Sequence, residues 1–259
     1  MTRTIVVLAA ALAGCAYADD WSKRFEVTAK PELRVETDDG RVTLKAGTGS
    51  AIETRVTTKG WTIGENGVRV NARQSGNRVE IDVRVPREHF SFGDRWAHVE
   101  VIVPPELRAE VHTGDGHITV QGVRGNLRLN TGDGGIDCDD IGGSVEARTG
   151  DGAIKVNGRF DSLDLRTNDG SVNADAAPGS KMAGPWRIHT GDGGVTVRLP
   201  QGFAADLNAQ TGDGHISVDM PLVTNSMKTS ENTVKGQLNG GGPTLRIETG
   251  DGSIRIEKH

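Results

Sequence analysis

Apolar and polar residues alternate with a period of two through most of this chain, and the alternation recurs in a fixed frame. Val145 and Ala147 precede a short polar turn, and Ile154 and Val156 follow it. Leu163 and Leu165 precede the next turn, and Val172 and Ala174 follow that one. Between them stand Glu146, Lys155, Asp164 and Asn173. Such alternation is the mark of a strand with one face buried and one in water. The turn itself is Thr-Gly-Asp-Gly: Thr113-Gly114-Asp115-Gly116, Thr131-Gly132-Asp133-Gly134, Thr149-Gly150-Asp151-Gly152, and again from Thr190, Thr211 and Thr249. Variants are Thr167-Asn168-Asp169-Gly170 and Thr37-Asp38-Asp39-Gly40. The frame repeats without slippage from Thr113 through Thr131 and Thr149 to Thr167, then loosens.

One unit of about 18 residues holds two strands of about five residues and two short turns. An antiparallel meander would pair the two strands through their turn. A single unit, however, cannot bury its own apolar face, whereas like units stacked in register bury all of them together. The pattern therefore predicts an all-β chain: a parallel β-solenoid, flattened into two sheets, with like residues in files about 4.8 Å apart. Residues 113–259 carry the repeat. Residues 19–112 hold strand-like runs without the period, such as Val79–Val85, and read as larger, irregular coils continuous with it. The loop Pro86–Trp96 gathers Phe90, Phe92 and Trp96, either as a contact surface or as a cover for the solenoid end. Met220–Gly242 reads as a polar loop before the last coil.

Within the turn, the Thr keeps the inward parity of the strand, so its hydroxyl is placed to bond turn backbone. The second position, Gly, Asn168 or Asp38, is expected in the left-handed region. The last position is Gly in all eight copies. It needs either a glycine-only conformation or room for neighbouring backbone. Stacking lines the Asp residues into a column. Each carboxylate either accepts turn N–H groups, or the column, Asp115, Asp133, Asp151 and Asp169, collects calcium, as in β-rolls with coils of this length.

Composition adds an address and removes some functions. Met1–Ala18 reads as an export signal, with Arg3 before an apolar run too short to span a bilayer. Two processing sites compete. Leu12-Ala13-Gly14-Cys15 matches a lipobox, which would acylate Cys15 and tether the protein; Ala16-Tyr17-Ala18 would release Asp19 as the first mature residue. Either way the protein is exported, to the periplasm, outer membrane or cell surface, and membrane contact is expected only through Cys15. A net charge of −5 gives no electrostatic footprint for nucleic acid. Glycine is abundant, at 36 residues, and aromatics make up only 4%, so large core side chains are scarce. Cys138 lies at an inward strand position and reads as a small buried hydrophobe. No nucleophile motif or zinc spacing appears, and the outward Arg128, Glu146, Asp164 and Arg187 read as a solvated column. The expectation is therefore a non-enzyme without cofactor, apart from the calcium alternative. A carbohydrate-active β-helix enzyme is the remaining rival.

The repeated Thr-Gly-Asp-Gly-x-Ile/Val-x-Val resembles the bacterial "putative adhesin" family. So do the coil starts Val103-Pro104-Pro105-Glu106-Leu107 and Leu199-Pro200, and the closing Gly240-Gly-Gly-Pro-Thr-Leu-Arg-Ile-Glu-Thr-Gly-Asp-Gly-Ser-Ile254. The resemblance runs over most of the chain after Trp21. It implies a β-solenoid, an envelope location and no established activity; the flat polar sheets themselves suggest an envelope protein or glycan as partner. It defines no catalytic or binding residues.

Overall fold

The computed structural model describes residues 18–86, 95–223 and 232–259. The leader with Cys15, and Phe90 and Phe92, lie outside the described residues. The strands run in chain order. The first nine are β1 (Ala18–Glu26), β2 (Glu32–Thr37), β3 (Arg41–Ala46), β4 (Ala51–Lys59), β5 (Arg69–Ser75), β6 (Arg78–Arg84), β7 (Trp96–Val103), β8 (Glu106–Thr113) and β9 (Ile118–Gln121). The middle of the chain gives β10 (Arg124–Asn130), β11 (Ile136–Arg148), β12 (Ile154–Arg166), β13 (Val172–Ala176), β14 (Trp186–Thr190) and β15 (Val195–Leu199). The last are β16 (Ala205–Thr211), β17 (Ile216–Val218), β18 (Leu222–Val223), β19 (Thr233–Leu238), β20 (Thr244–Thr249) and β21 (Ile254–Lys258).

Strands before each Thr turn form one face, and strands after it form the other. On the first face β6, β2, β8, β10, the second halves of β11 and β12, β14, β20 and β16 follow one another, all parallel. On the second face the parallel order is β7, β3, β9, the first halves of β11 and β12, β13, β15, β21 and β17. The fold is thus the parallel, two-faced solenoid the repeat predicts. β11 and β12 pass through the second bend without a break, with register shifts at Cys138/Ile141 and Gly143/Ser144.

Spatial order departs from chain order at both ends. The β2–β3 coil lies between the later β6–β7 coil and β8–β9. The final β20–β21 coil lies between β14–β15 and the earlier β16–β17 coil. The β2–β3 and β20–β21 coils are thus each flanked on both sides. Antiparallel strands extend the stack beyond these coils: β5 on β6, β4 on β7 and β1 on β4 at one end, β19 on β16 and β18 on β19 at the other. Open solenoid ends expose unpaired backbone, and such strands cover it. The segment Met220–Gly242 is accordingly not simply a loop. Val234 and Leu238, four apart on β19, are buried beside Ala209 and Ala205 of β16, the outer coil at this end.

Inward residues form continuous files. On the second face Val42, Ile118, Ile136, Ile154, Val172, Val195, Ile254 and Ile216 are register partners in turn, all buried. Each fully buried Ile is worth about 1.5–3 kcal/mol relative to exposure. Three buried rings meet near the later coils. Trp186 meets Phe160 edge-on, with centroids 6.3 Å apart, and Phe203 at 5.0 Å. Cys138 is buried in the file of Leu44, Val120 and Val156, and burial pushes its thiol pKa up.

Candidate functional site

The recurrent threonines and glycines of the repeat hold coils together. At the second turn position a file of backbone bonds runs through the stack. Gly114 N–H donates to Asp38 C=O, Gly132 to Gly114, Gly150 to Gly132, and Asn168 to Gly150 at 2.7 Å. Gly191, Gly250 and Gly212 continue it in spatial order. These residues are not left-handed: Lys30, Asp140 and Asn239 are the described non-glycine residues with positive φ, and no second-position glycine has it. Where glycine stands there it gives room instead, although Asp38 and Asn168 hold the same position in two copies. A Cβ on Gly132 would stand 2.6 Å from Asp115 Oδ1 and 2.7 Å from Gly114 C=O.

The threonines form a second file. Thr131, Thr149 and Thr167 Oγ1 donate to the last-glycine carbonyl of the coil before, Gly116, Gly134 and Gly152, at 2.8–2.9 Å. In Thr167, Thr190 and Thr249 the hydroxyl also accepts the N–H of its own turn's last glycine at 3.2 Å. The threonine hydroxyl thus does the work the sequence reading gave to the Asp carboxylate. Among the described residues none of the eight turn carboxylates accepts a hydrogen bond or pairs with a cation. They stand exposed in a single column at one edge. Among the described residues no three His, Cys, Asp or Glu side chains converge to hold a metal ion.

Thr37 begins the file. Among the described residues its Oγ1 is buried without a partner. An unpaired buried hydroxyl costs about 1–3 kcal/mol, and a net hydrogen bond gains about 1. Thr149→Val is therefore expected to lower stability by about 1 kcal/mol, whereas Thr37→Val leaves it unchanged or raises it. Guanidinium titrations at constant m-value measure both; equal losses at the two positions would contradict the file.

At the same end, Arg84 ties the outer coil to its neighbour. It reaches Glu36 Oε1 at 2.8 Å, Asp38 Oδ1 at 3.0 Å and Asp82 Oδ1 at 2.7 Å. Its hydrogen bond holds the Glu36 carboxyl below the usual range, and the same carboxylates push the guanidinium pKa up.

Of the concavities among the described residues, two bring together groups suited to a ligand. The first is a groove of about 570 Å³ on the first face. Its floor is made by register partners Asn126, Ser144 and Ser162, whose short side chains leave a trough. Along it runs the charged column, with Arg128 opposite Glu146, Glu146 opposite Asp164 and Asp164 opposite Arg187. Arg128 Nε meets Glu146 at 3.1 Å and Arg166 meets Asp164 at 2.8 Å. Such exposed pairs contribute at most about 1 kcal/mol each. The charged column was readable from the repeat. The trough was not singled out, although small polar residues recur at one position of three successive coils.

The second concavity, about 500 Å³, opens at the turn edge and involves Asp39, Arg41, Trp96, His98, Asp115 and His117. Arg41 and His98 are register partners on β3 and β7, a contact created by the out-of-order stacking and invisible in the repeat. Trp96 is 43% exposed. His98 Nε2 and Thr43 Oγ1 lie 2.9 Å apart, and burial lowers the pKa of the His98 ring. His117 Nε2 meets Asp137 Oδ2 at 2.8 Å.

Solved structures of similar shape include a "putative cell adhesion protein" from Clostridium sporogenes. It is 14% identical, with 94% of this chain and 100% of that one covered and a TM-score of 0.46. A "putative adhesin" from Bacteroides fragilis is 13% identical over 93% and 97%, with a TM-score of 0.47. A "Putative lipid binding protein" from Parabacteroides distasonis is 12% identical over 93% and 97%, with a TM-score of 0.40. Among curated proteins, none matches this chain. The Toastrack DUF4097 model matches residues 107–257. That match takes in β8 and the repeat coils after it, more than half of the sequence, and the chain belongs to the Toastrack DUF4097 family.

Proposed function

We propose that this protein is a non-enzymatic, adhesin-like component of the cell envelope whose first face holds an extended glycan in the Asn126–Ser144–Ser162 trough. The observation that carries this reading is the trough itself, a long polar channel on a scaffold locked by its threonine and glycine files. Its wall mixes Arg and carboxylate, so it offers donors and acceptors together without a field of one sign. Sugar hydroxyls both donate and accept, and a mixed wall of this kind satisfies them. A polyanion or a nucleic acid would instead call for a basic stripe. Export by the 1–18 leader and anchoring at an acylated Cys15 belong to the same reading; mass spectrometry of the mature N-terminus distinguishes acyl-Cys15 from a free Asp19.

A panel of envelope polysaccharides, titrated against the exported chain and against Ser144→Trp and Ser162→Trp, tests the trough. At least one polysaccharide is expected to bind, with a loss of tenfold or more when either Trp fills the floor. Binding that ignores both substitutions, or a wild-type chain that binds no polysaccharide in the panel, would overturn the assignment. Capture of a protein partner through the same face would replace glycan by protein as the ligand class.

A further inference from the structure

We infer that the turn-edge cleft around Trp96 is a separate binding site for one pyranose ring. Three features point there. First, Trp96 presents a largely exposed indole in a chain poor in aromatics: Trp186 is fully buried, and Trp21 and Trp61 are partly covered. An indole face offers a wide apolar platform with little conformational entropy to lose, and it suits the C–H face of a sugar ring. Second, His98 and His117 are engaged by Thr43 and Asp137, but three other polar groups around the indole are not committed elsewhere among the described residues. Asp39 and Asp115 are exposed and accept no hydrogen bond among the described residues, and Arg41 is exposed and forms no ion pair there. Two acceptor carboxylates and one five-donor guanidinium are what a ring bearing several hydroxyls needs. Third, the cleft has depth because it sits where the long β6–β7 coil meets the regular stack, and its volume of about 500 Å³ is within the range of small-ligand pockets. Further along the same edge the Asp column continues past glycine or small residues such as Gly135, Ala153 and Ser171, without an aromatic partner. The acidic column alone makes no site; the tryptophan and arginine distinguish this stretch of it.

The cleft lies at the turn edge and the trough on the first face, and the two share no lining residue. Their tests are therefore independent. Saturation-transfer NMR with a panel of methyl glycosides (gluco, galacto, manno and N-acetylglucosamine) reads the cleft directly. At least one glycoside is expected to bind at millimolar concentration, with saturation strongest on the ring protons of one face. Trp96→Ala should abolish the signal, Trp96→Phe should keep part of it, and Asp115→Asn or Arg41→Ala should weaken it at least fivefold. Ser144→Trp, which fills the trough, should leave it unchanged. Circular dichroism and the melting midpoint check that each variant folds; if Trp96→Ala does not, Asp115→Asn and Arg41→Ala decide. No transfer from any glycoside to the wild-type chain, or transfer that survives both polar substitutions in folded protein, overturns the site.

Discussion

Ile254→Ala is expected to cost about 3–4 kcal/mol, as much as the same change at Ile136 in the middle of the chain, although Ile254 lies five residues from the C-terminus. In a solenoid stacked in chain order, a last coil would be an end coil, with one neighbour and fraying edges. Here the last coil is an inner one. Ile254 pairs with Val195 on one side and Ile216 on the other, and it is fully buried. Its companions Leu245, Ile247 and Ile256 are likewise no more than 1% exposed. Thr249 Oγ1 donates to Gly193 C=O at 2.8 Å, and Thr211 Oγ1 donates to Gly252 C=O at 2.8 Å. Removing three carbons at such a site loses transfer energy and leaves a cavity that coils on both sides must tolerate. Ile216, in the outer coil, keeps 7% exposure and has a parallel neighbour on one side only; the same substitution there should cost less. Chemical denaturation of the three variants measures the order. A cost below about 1 kcal/mol at Ile254 would place the coil at the end of the stack and contradict the pairing.

This insertion also shows where the sequence stops being legible. The repeat declares parallel coils because every copy offers the same inward residues and the same turn, and those identities are local. It does not declare which coil lies beside which, because all copies are nearly interchangeable as neighbours. Ile254 would fit on Ile118 or Ile154 about as well as on Val195. Order is decided by connections: the short Pro200–Ala204 link carries the chain on to β16, and the long excursion through β19 brings β20 back into the gap. The same holds for the sites. The Arg128–Glu146–Asp164–Arg187 column could be read from equal spacing, since it lies within or beside the regular coils. Trp96 could be noticed as an unusual residue, but its neighbours Arg41 and Asp115 could not, because their meeting depends on the β6–β7 coil stacking outside β2–β3. The turn shows a subtler limit. Glycine at the second position satisfied a left-handed reading and a close-approach reading equally, and the coil spacing alone selects the second.

Gly134→Val should be the most damaging single change among the regular coils, with a loss of more than about 3 kcal/mol and failure to fold as a plausible limit. The reason is backbone meeting backbone. A Cβ at Gly134 would stand 2.6 Å from the carbonyl carbon of Gly116, nearer still to its oxygen, and 2.8 Å from Thr131 Oγ1. The Gly116 oxygen is the acceptor for Thr131 Oγ1 at 2.8 Å, so pushing it aside breaks the threonine file as well as the contact. Neither obstacle is the end of a flexible side chain that could swing away. The coils are spaced by the strand ladder at about 4.8 Å, and widening one step to admit a side chain would strain the hydrogen bonds of both faces. The same obstruction recurs at Gly152, 2.5 Å from the Gly134 carbonyl carbon, and at Gly170, 2.5 Å from that of Gly152, so Gly152→Val should behave alike. Lys155, exposed on β12, provides the contrast: Lys155→Val should stay within about 0.5 kcal/mol of the parent. Soluble yield and thermal midpoints of the three variants give the comparison. A Gly134→Val protein melting within a few degrees of the parent would mean that the coils can part at the turn, and the rigidity on which both ligand surfaces depend would be lost with it.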